Sequence, residues 1–355
     1  MISEKNTIKI GEREVGPNCP PFCIAEVGIN HNGNIDLAKA MIVAAKEAGA
    51  DAVKFQTFRA EEFCGDPYQM FTYQSQGENI TEPMLDMFKR HEFSDVQWLE
   101  IKKYCDEVGI TFFSTPQNHS DLMLLLDIGV PAIKIGSDDL TNLQLLRKYA
   151  ESKKPIILSC GMSDIAEVHQ ALDAIGWFAG YPLALLVCTS QYPTPSEDVN
   201  ARRLIALKHA FPNIILGFSD HTQGVLASVV ALTLGACIFE KHFTLSHDFV
   251  GPDHWFSEEP SELKCWIESI HTAYIMQGEQ FVRPSAAELI MRTQARRSIV
   301  ALENIQAGTI LDEKNIGLRR PGDGLPPNFL ELVIGKKARK SIQLGNKINI
   351  DDLLL

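Results

Sequence analysis

Gly217-Phe218-Ser219-Asp220-His221-Thr222 closes an apolar run, Asn213-Ile214-Ile215-Leu216, of the kind that makes a buried strand. A strand end is held by its neighbours, so its polar side chains are aimed, and aimed polar groups usually face a ligand. The pattern repeats along the chain. Apolar runs end in Glu26, in Lys54 and Gln56, in Ser114, and in Lys134 and Ser137. Further on they end in Ser159, in Ser190, in Ser219, Asp220 and His221, and in Glu240 and His242. Alternation along a strand puts Lys54 and Gln56 on one face and Val53 and Phe55 on the other; Glu240 and His242 share a face opposite Phe239 and Phe243.

Lysine is rarely buried without a partner, so two inward lysines, Lys54 and Lys134, call for anions. One source is internal, an ion pair with Glu26 or Glu240. The other is a phosphate or carboxylate ligand held by Lys54, Lys134 and the hydroxyls of Ser137, Ser159 and Ser219, and the hydroxyl-rich rim favours it. His221 and His242 end neighbouring strands, so their imidazoles can reach one divalent ion, with Glu26 or waters completing the shell, or they serve as hydrogen-bonded structure. Cys160 and Cys188 also end strands, but no histidine stands in sequence to activate them, and they read as packing thiols. After the last such strand, Val250-Gly251-Pro252-Asp253-His254-Trp255 is either a solvated turn or a lid.

These ends need a scaffold. Eight strands are predicted, from Phe22, Ala52, Thr111, Ala132, Pro155, Leu183, Ile214 and Cys237. Amphipathic helices lie between them, one capped by Asn34 and stopped near Gly49, another opened by a Ser94/Gln97 capping box. Eight strand-helix units in about 260 residues predict an α/β fold closed as a TIM (β/α)8 barrel, whose chemistry sits at the C-terminal strand ends. An open doubly wound sheet is the runner-up, weakened because no Gly-x-Gly-x-x-Gly follows the first strand. Thr7–Gly16 reads as a hairpin plugging the barrel floor. The expected organisation is a catalytic barrel with this hairpin over residues 1–282, a linker over 283–297, and a small β-rich domain over 298–355, where Gly, Pro and Asn turns break short strands.

Composition removes several classes of function. The net charge of −12 and pI of about 5.3 leave no basic stripe for nucleic acid. The N-terminus lacks an apolar signal core, and the longest apolar stretch, Gly224–Phe239, is too short and too polar to span a bilayer, so no membrane partner is expected. Eight cysteines without paired spacing point to reduced thiols and a cytoplasmic setting.

The motifs IAEVGINHNG (from Ile24), VKFQT (Val53), KIGS (Lys134), CTSQYPTP (Cys188), GFSDHT (Gly217), EKHFT (Glu240), GPDH (Gly251) and RRPGDG (Arg319) resemble, in order and over nearly the whole chain, those of the sialic acid and nonulosonate synthases. The resemblance implies a TIM barrel followed by an antifreeze-like (SAF) domain, in a domain-swapped homodimer. It also implies the reaction: phosphoenolpyruvate, an N-acetylmannosamine-type sugar and water give a nine-carbon 2-keto acid, N-acetylneuraminate or legionaminate, and phosphate. By motif, Lys54, Lys134, Ser137, Ser159 and Ser219 would hold phosphoenolpyruvate, His221 and His242 would bind Mn2+ or Mg2+, and Glu26 would handle protons. Gln56 and Tyr192 would line the sugar site, Asp253 would bind sugar hydroxyls, and Arg320 of the second chain would meet the N-acyl group. Asp138-Asp139 replaces a common Gly-Glu, so the shorter Asp139 must reach further for the same contact or make a different one, and Ser190 stands where some sialic acid synthases carry Asn. The segment Met70–Phe93 is expected as a loop beside the sugar, of legionaminic as much as of sialic type, and the GPDH motif speaks against the pseudaminic branch. The competing readings are a metal-dependent aldolase or sugar isomerase on the same barrel, and a non-enzymatic sugar-binding protein.

Overall fold

The computed structural model describes residues 6–354. Residues 1–5, where the expected signal-free N-terminus begins, and residue 355, the end of the expected small domain, lie outside the described residues. The chain divides into two compact units, Met1–Gly278 and Glu279–Leu355.

In the first unit a hairpin of β1 (Ile8–Ile10) and β2 (Arg13–Val15) precedes the barrel. It buries Ile8, Ile10 and Val15 in the main core, and Arg13 pairs with Asp51, just before the second barrel strand. The eight expected strands follow: β3 (Phe22–Gly28) and β4 (Ala52–Thr57). An inserted hairpin, β5 (Met70–Ser75) with β6 (Glu78–Pro83), comes next. Then come β7 (Thr111–Pro116), β8 (Ile133–Ile135), β9 (Ile156–Ser159), β10 (Leu183–Val187), β11 (Ile215–Asp220) and β12 (Ile238–His242). All eight lie parallel in the order β7-β4-β3-β12-β11-β10-β9-β8, and the outer two, β7 and β8, meet side by side to give a TIM-like barrel.

The helices between them form for local reasons. Asn34 Oδ1 accepts the amides of Asp36 and Leu37, opening Ile35–Ala48, and Gly49 ends it at φ 94°. The Ser94/Gln97 box opens Asp95–Val108, which buries Trp98, Ile101 and Cys105. In β3 the register slips between Glu26 and Gly28, and Gly28 takes φ +54°, a conformation open to glycine. Such a bulge re-aims a side chain, here Glu26, where strand pairing stops.

Two segments differ from expectation. The residues read as a loop after β4 form the β5–β6 hairpin and the helix Met84–His91, because Gln76 and Gly77, both at positive φ, make the two-residue turn that joins twisted strands. The stretch read as a linker holds the helix Ala286–Ala295, with a capping box at Ser285 and Glu288. In the second unit β13 (Ser298–Ala301) pairs with β14 (Ile316–Arg319), and β15 (Lys337–Ala338) with β16 (Leu353–Leu354). Its separate core is built on Ile299, Leu311, Ile316, Ile342 and Ile348. Among the described residues no helix is long and apolar enough to cross a membrane.

Candidate active site

A cavity of about 430 Å³ opens at the C-terminal end of the barrel. Glu26, Lys54, Gln56, Lys134, Ser137, Ser159, Ser190, Tyr192, Ser219, His221 and His242 all line it, as do Glu240, Thr115 and Cys188.

At its base Lys54 Nζ lies 2.9 Å from Glu26 Oε2 and 3.6 Å from Glu240 Oε2, and it donates to Thr115 Oγ1 at 3.2 Å. Gln56 Nε2 donates to Glu26 Oε1 at 3.3 Å. Burial lifts Glu26 to about 7, with Lys54 pulling against it and Glu240 adding to the rise. Burial acts the same way on Glu240, but Lys134, Lys54 and the Ser219 hydroxyl, which donates to it at 2.9 Å, outweigh this and hold it below the carboxylate range. Two carboxylates a lysine apart therefore differ in protonation, one ionised and one able to carry a proton near neutrality. Lys134 Nζ donates to Ser159 Oγ at 2.7 Å and to the Ile135 carbonyl at 3.0 Å. Burial lowers its pKa, partly offset by Glu240. Among the described residues no carboxylate ion-pairs with it.

His221 Nδ1 bonds the Thr189 carbonyl at 2.7 Å; a carbonyl only accepts, so the proton sits on Nδ1 and Nε2, 3.2 Å from Ser219 Oγ, is left with its lone pair. The His242 ring lies 5.6 Å away, its Nδ1 buried without a hydrogen-bond partner. Burial lowers both, His221 to about 4. Tyr192 packs on His221 at 4.2 Å between ring centres. Ser137 Oγ accepts the Gly161 amide at 2.9 Å and lies 3.1 Å from Cys188 Sγ. Burial raises the thiols of Cys188 and Cys160, which leaves neither an activated nucleophile.

Several expected residues lie elsewhere. Ser114 faces outward and bonds Thr57 Oγ1 at 2.7 Å; Thr115 takes the cavity position, a register offset of one. Asp220 also turns outward, to Lys241 and Ser228. Asp139 is half-buried and accepts from Asn142 Nδ2, at the start of the helix Leu143–Ala150, while its exposed neighbour Asp138 lines the cavity. Asp253 precedes the short helix His254–Phe256, does not line the cavity, and is raised to about 6 by burial. His254 is neither lid nor solvated: it is 1% exposed, 2.7 Å from Thr244 Oγ1 and 3.2 Å from Asn32 Oδ1. Arg320 is an exposed residue of the second unit, just after β14. Sequence reasoning put Glu240 on the inward face with His242 and offered it as an ion-pair partner for the lysines, but gave it no role in the chemistry.

The described residues hold a possible metal-ligating triple, Cys23, Asp51 and His271. It lies at the N-terminal strand ends, and Asp51 is already matched to Arg13 and to the Cys23 amide.

Comparison with known proteins agrees with this architecture. The NeuB family model matches residues 41–281 and the SAF domain model residues 296–354. The chain is 42% identical to an uncharacterized protein of Methanocaldococcus jannaschii, covering 98% of each. It is 35% identical to the N,N'-diacetyllegionaminic acid synthase of Legionella pneumophila, covering 95% of this chain and 96% of that one. The crystal structure of an N-acetylneuraminic acid synthetase from Leptospira borgpetersenii superposes with a TM-score of 0.72 at 32% identity, covering 80% of this chain and 94% of that one. With its barrel, its SAF domain and matches of this extent, the chain belongs to the NeuB family of sialic acid and related nonulosonate synthases.

Proposed function

We propose that this protein condenses phosphoenolpyruvate with an N-acylated mannosamine-type sugar and water, giving a nine-carbon 2-keto acid of the N-acetylneuraminate or legionaminate type and phosphate. The observation that carries this reading is Lys134, a buried ammonium with hydroxyl and carbonyl neighbours but no ion-paired carboxylate among the described residues. A buried cation in that state calls for an anionic ligand, and the family makes phosphoenolpyruvate that anion. Lys54, Lys134, Ser137, Ser159 and Ser219 hold its phosphate and carboxylate. Gly161 leaves them room, since a Cβ there would stand 2.6 Å from Ser190 Oγ and 2.9 Å from Ser137 Oγ.

C3 of phosphoenolpyruvate attacks the aldehyde carbon, and the aldehyde oxygen takes up a proton as the new C–C bond forms. Water adds to the cationic C2 and loses a proton; the tetrahedral centre then collapses by C–O cleavage, releasing phosphate. Glu26, lifted to about 7, is matched to giving the first proton and taking the second. Glu240 stays ionised and balances the lysines beside the cation at C2. Gln56, Ser190 and Tyr192 orient the sugar. His221 Nε2 and the unpartnered His242 Nδ1 suit a divalent ion of the Mn2+ or Mg2+ kind, completed by waters. Such an ion supplies Lewis acidity toward the aldehyde oxygen.

The same proposal includes a domain-swapped homodimer in which Arg320 of a second copy meets the N-acyl group. The helix Ala286–Ala295 supports it by leaving Leu289, Ile290 and Met291 exposed. Free thiols at all eight cysteines suit a cytoplasmic setting.

The test is phosphate release from phosphoenolpyruvate, with sugar and Mn2+, in 18O-labelled water. Release that requires the sugar and yields unlabelled phosphate is expected; sugar-independent release, or label in the phosphate, would overturn the reading.

A further inference from the structure

Resting on that reading, the loop that follows β10 bears on how His221 is aimed. Its Nδ1–H donates to the Thr189 carbonyl at 2.7 Å, and its own carbonyl accepts the Thr194 amide at 2.8 Å. The first bond decides the chemistry, because it keeps the proton on Nδ1 and leaves the Nε2 lone pair for an ion. A histidine ligand is only as well aimed as the acceptor behind it. Thr189 lies past the end of β10 (Leu183–Val187), where the strand ladder no longer sets the position of its carbonyl.

The Thr189 side chain sets it instead. Its Oγ1 donates to the Asp198 carbonyl at 3.0 Å and accepts from Arg203 Nη2 at 2.7 Å, and the same Nη2 donates to the Val199 carbonyl at 3.0 Å. Arg203 opens the helix Arg203–Ala210. One guanidinium nitrogen therefore ties the start of that helix to both ends of the loop over residues 189–199. A guanidinium is shaped for a carboxylate, yet this one is half-buried, ion-pairs with none among the described residues, and has a buried Nε without a partner. Nor does Arg203 line the cavity, so its reach to the reaction runs through Thr189.

We propose that Arg203 is a positioning residue for the metal ligand: by holding Thr189 Oγ1 it aims the Thr189 carbonyl at His221 Nδ1, and so keeps the Nε2 lone pair directed at the divalent ion. Arg203 itself touches neither substrate nor ion.

The test is the Mn2+ affinity of the full chain without substrates, read from free Mn2+ by electron paramagnetic resonance. Arg203→Met is expected to weaken Mn2+ binding by about tenfold or more, the range for losing a residue that supports a metal-bound histidine. Arg203→Lys, which can bring an ammonium to the same hydroxyl, should recover part of the loss. Thr189→Val removes the hydroxyl and keeps the carbonyl, so it should match Arg203→Met, and the double variant should lose no more than either alone. In phosphate release, added Mn2+ should restore kcat of Arg203→Met while KM for phosphoenolpyruvate stays at the parent value. Mn2+ affinity unchanged in both single variants would overturn the proposal and leave the synthase standing. So would a raised KM for phosphoenolpyruvate at saturating Mn2+, which would put the guanidinium to work on the anion. If Arg203→Met fails to fold, Thr189→Val decides alone. Mn2+ affinity indifferent to His221→Ala would overturn the metal assignment and this proposal with it.

Discussion

The inner and outer faces of β11 and β12 carry the same kinds of residue to opposite ends. Inward, Ser219, His221, Glu240 and His242 line the cavity, where His242 Nδ1 has no partner and Lys134, across the barrel, has no paired carboxylate. Outward, Asp220 and Lys241 close a network with nothing left over. Lys241 Nζ is 3.2 Å from Asp220 and 3.3 Å from Glu258, and it donates to the carbonyls of Thr222 and Gly224. Asp220 accepts from Ser228, which in turn accepts from Trp266 Nε1. Burial and charge are alike on the two faces; satisfaction differs. A buried polar set that is complete holds the fold, and one that is incomplete is shaped for a ligand.

That contrast predicts opposite outcomes for two buried lysines. Lys241→Met should leave Asp220 and Glu258 without their cation and cost about 3–5 kcal/mol of stability, read as a lowered urea midpoint; an unchanged midpoint would erase the distinction between the faces. Lys134→Met should lower kcat/KM for phosphoenolpyruvate by about 10²–10³, the effect of losing one preorganised donor. Its thermal midpoint should fall less than that of Lys241→Met, because Glu240 loses one compensating charge but keeps Lys54 and the Ser219 hydroxyl. Loss of stability in place of activity would move Lys134 to the structural class.

The smallest effect concerns a buried group outside the cavity. His31 is 0% exposed, stacks on Phe93 with centroids 4.1 Å apart, and is held down to about 3 by burial, with His91 and His254 adding to it. In acid the unfolded chain protonates this imidazole below about 6.5 while the folded chain does not. Its contribution is therefore full above 6.5 and lost as pH falls toward 3, at about 1.4 kcal/mol per pH unit. Glu26, with a raised pKa, works in the opposite direction, so total stability hides the effect. Between pH 7.5 and 5.5, His31→Phe should lose less unfolding free energy than the parent chain, by about 1 kcal/mol. Equal losses would mean that His31 is protonated in the fold.

The barrel was legible because its eight strands are continuous β-rich runs separated by helices, and local chemistry marks both ends of several of these, such as Ile35–Ala48, Asp95–Val108 and Ile165–Ile175. Lys54, Gln56, Glu240 and His242 could be assigned to a face because two polar residues of one strand stand two apart. Where a strand offered neighbouring polar residues, alternation alone did not choose. Ser114 and Thr115 are both polar, as are Ser219, Asp220 and His221, and packing against Thr57 or Lys241 decides which turns outward. The β5–β6 hairpin was missed although Gln76-Gly77 sits between alternating runs, because its strands are mostly polar and lie outside the main core.

By itself the sequence determined the strands, the caps, the small second domain's character and the inventory of lysines, hydroxyls and histidines, because each depends on residues near in the chain. The tertiary structure alone decided that Lys54 would be matched to Glu26 and Lys134 to no carboxylate, and that one carboxylate of two would be raised. Ion pairing and desolvation depend on distances between strands that are remote in sequence, and those distances exist only once the barrel has closed.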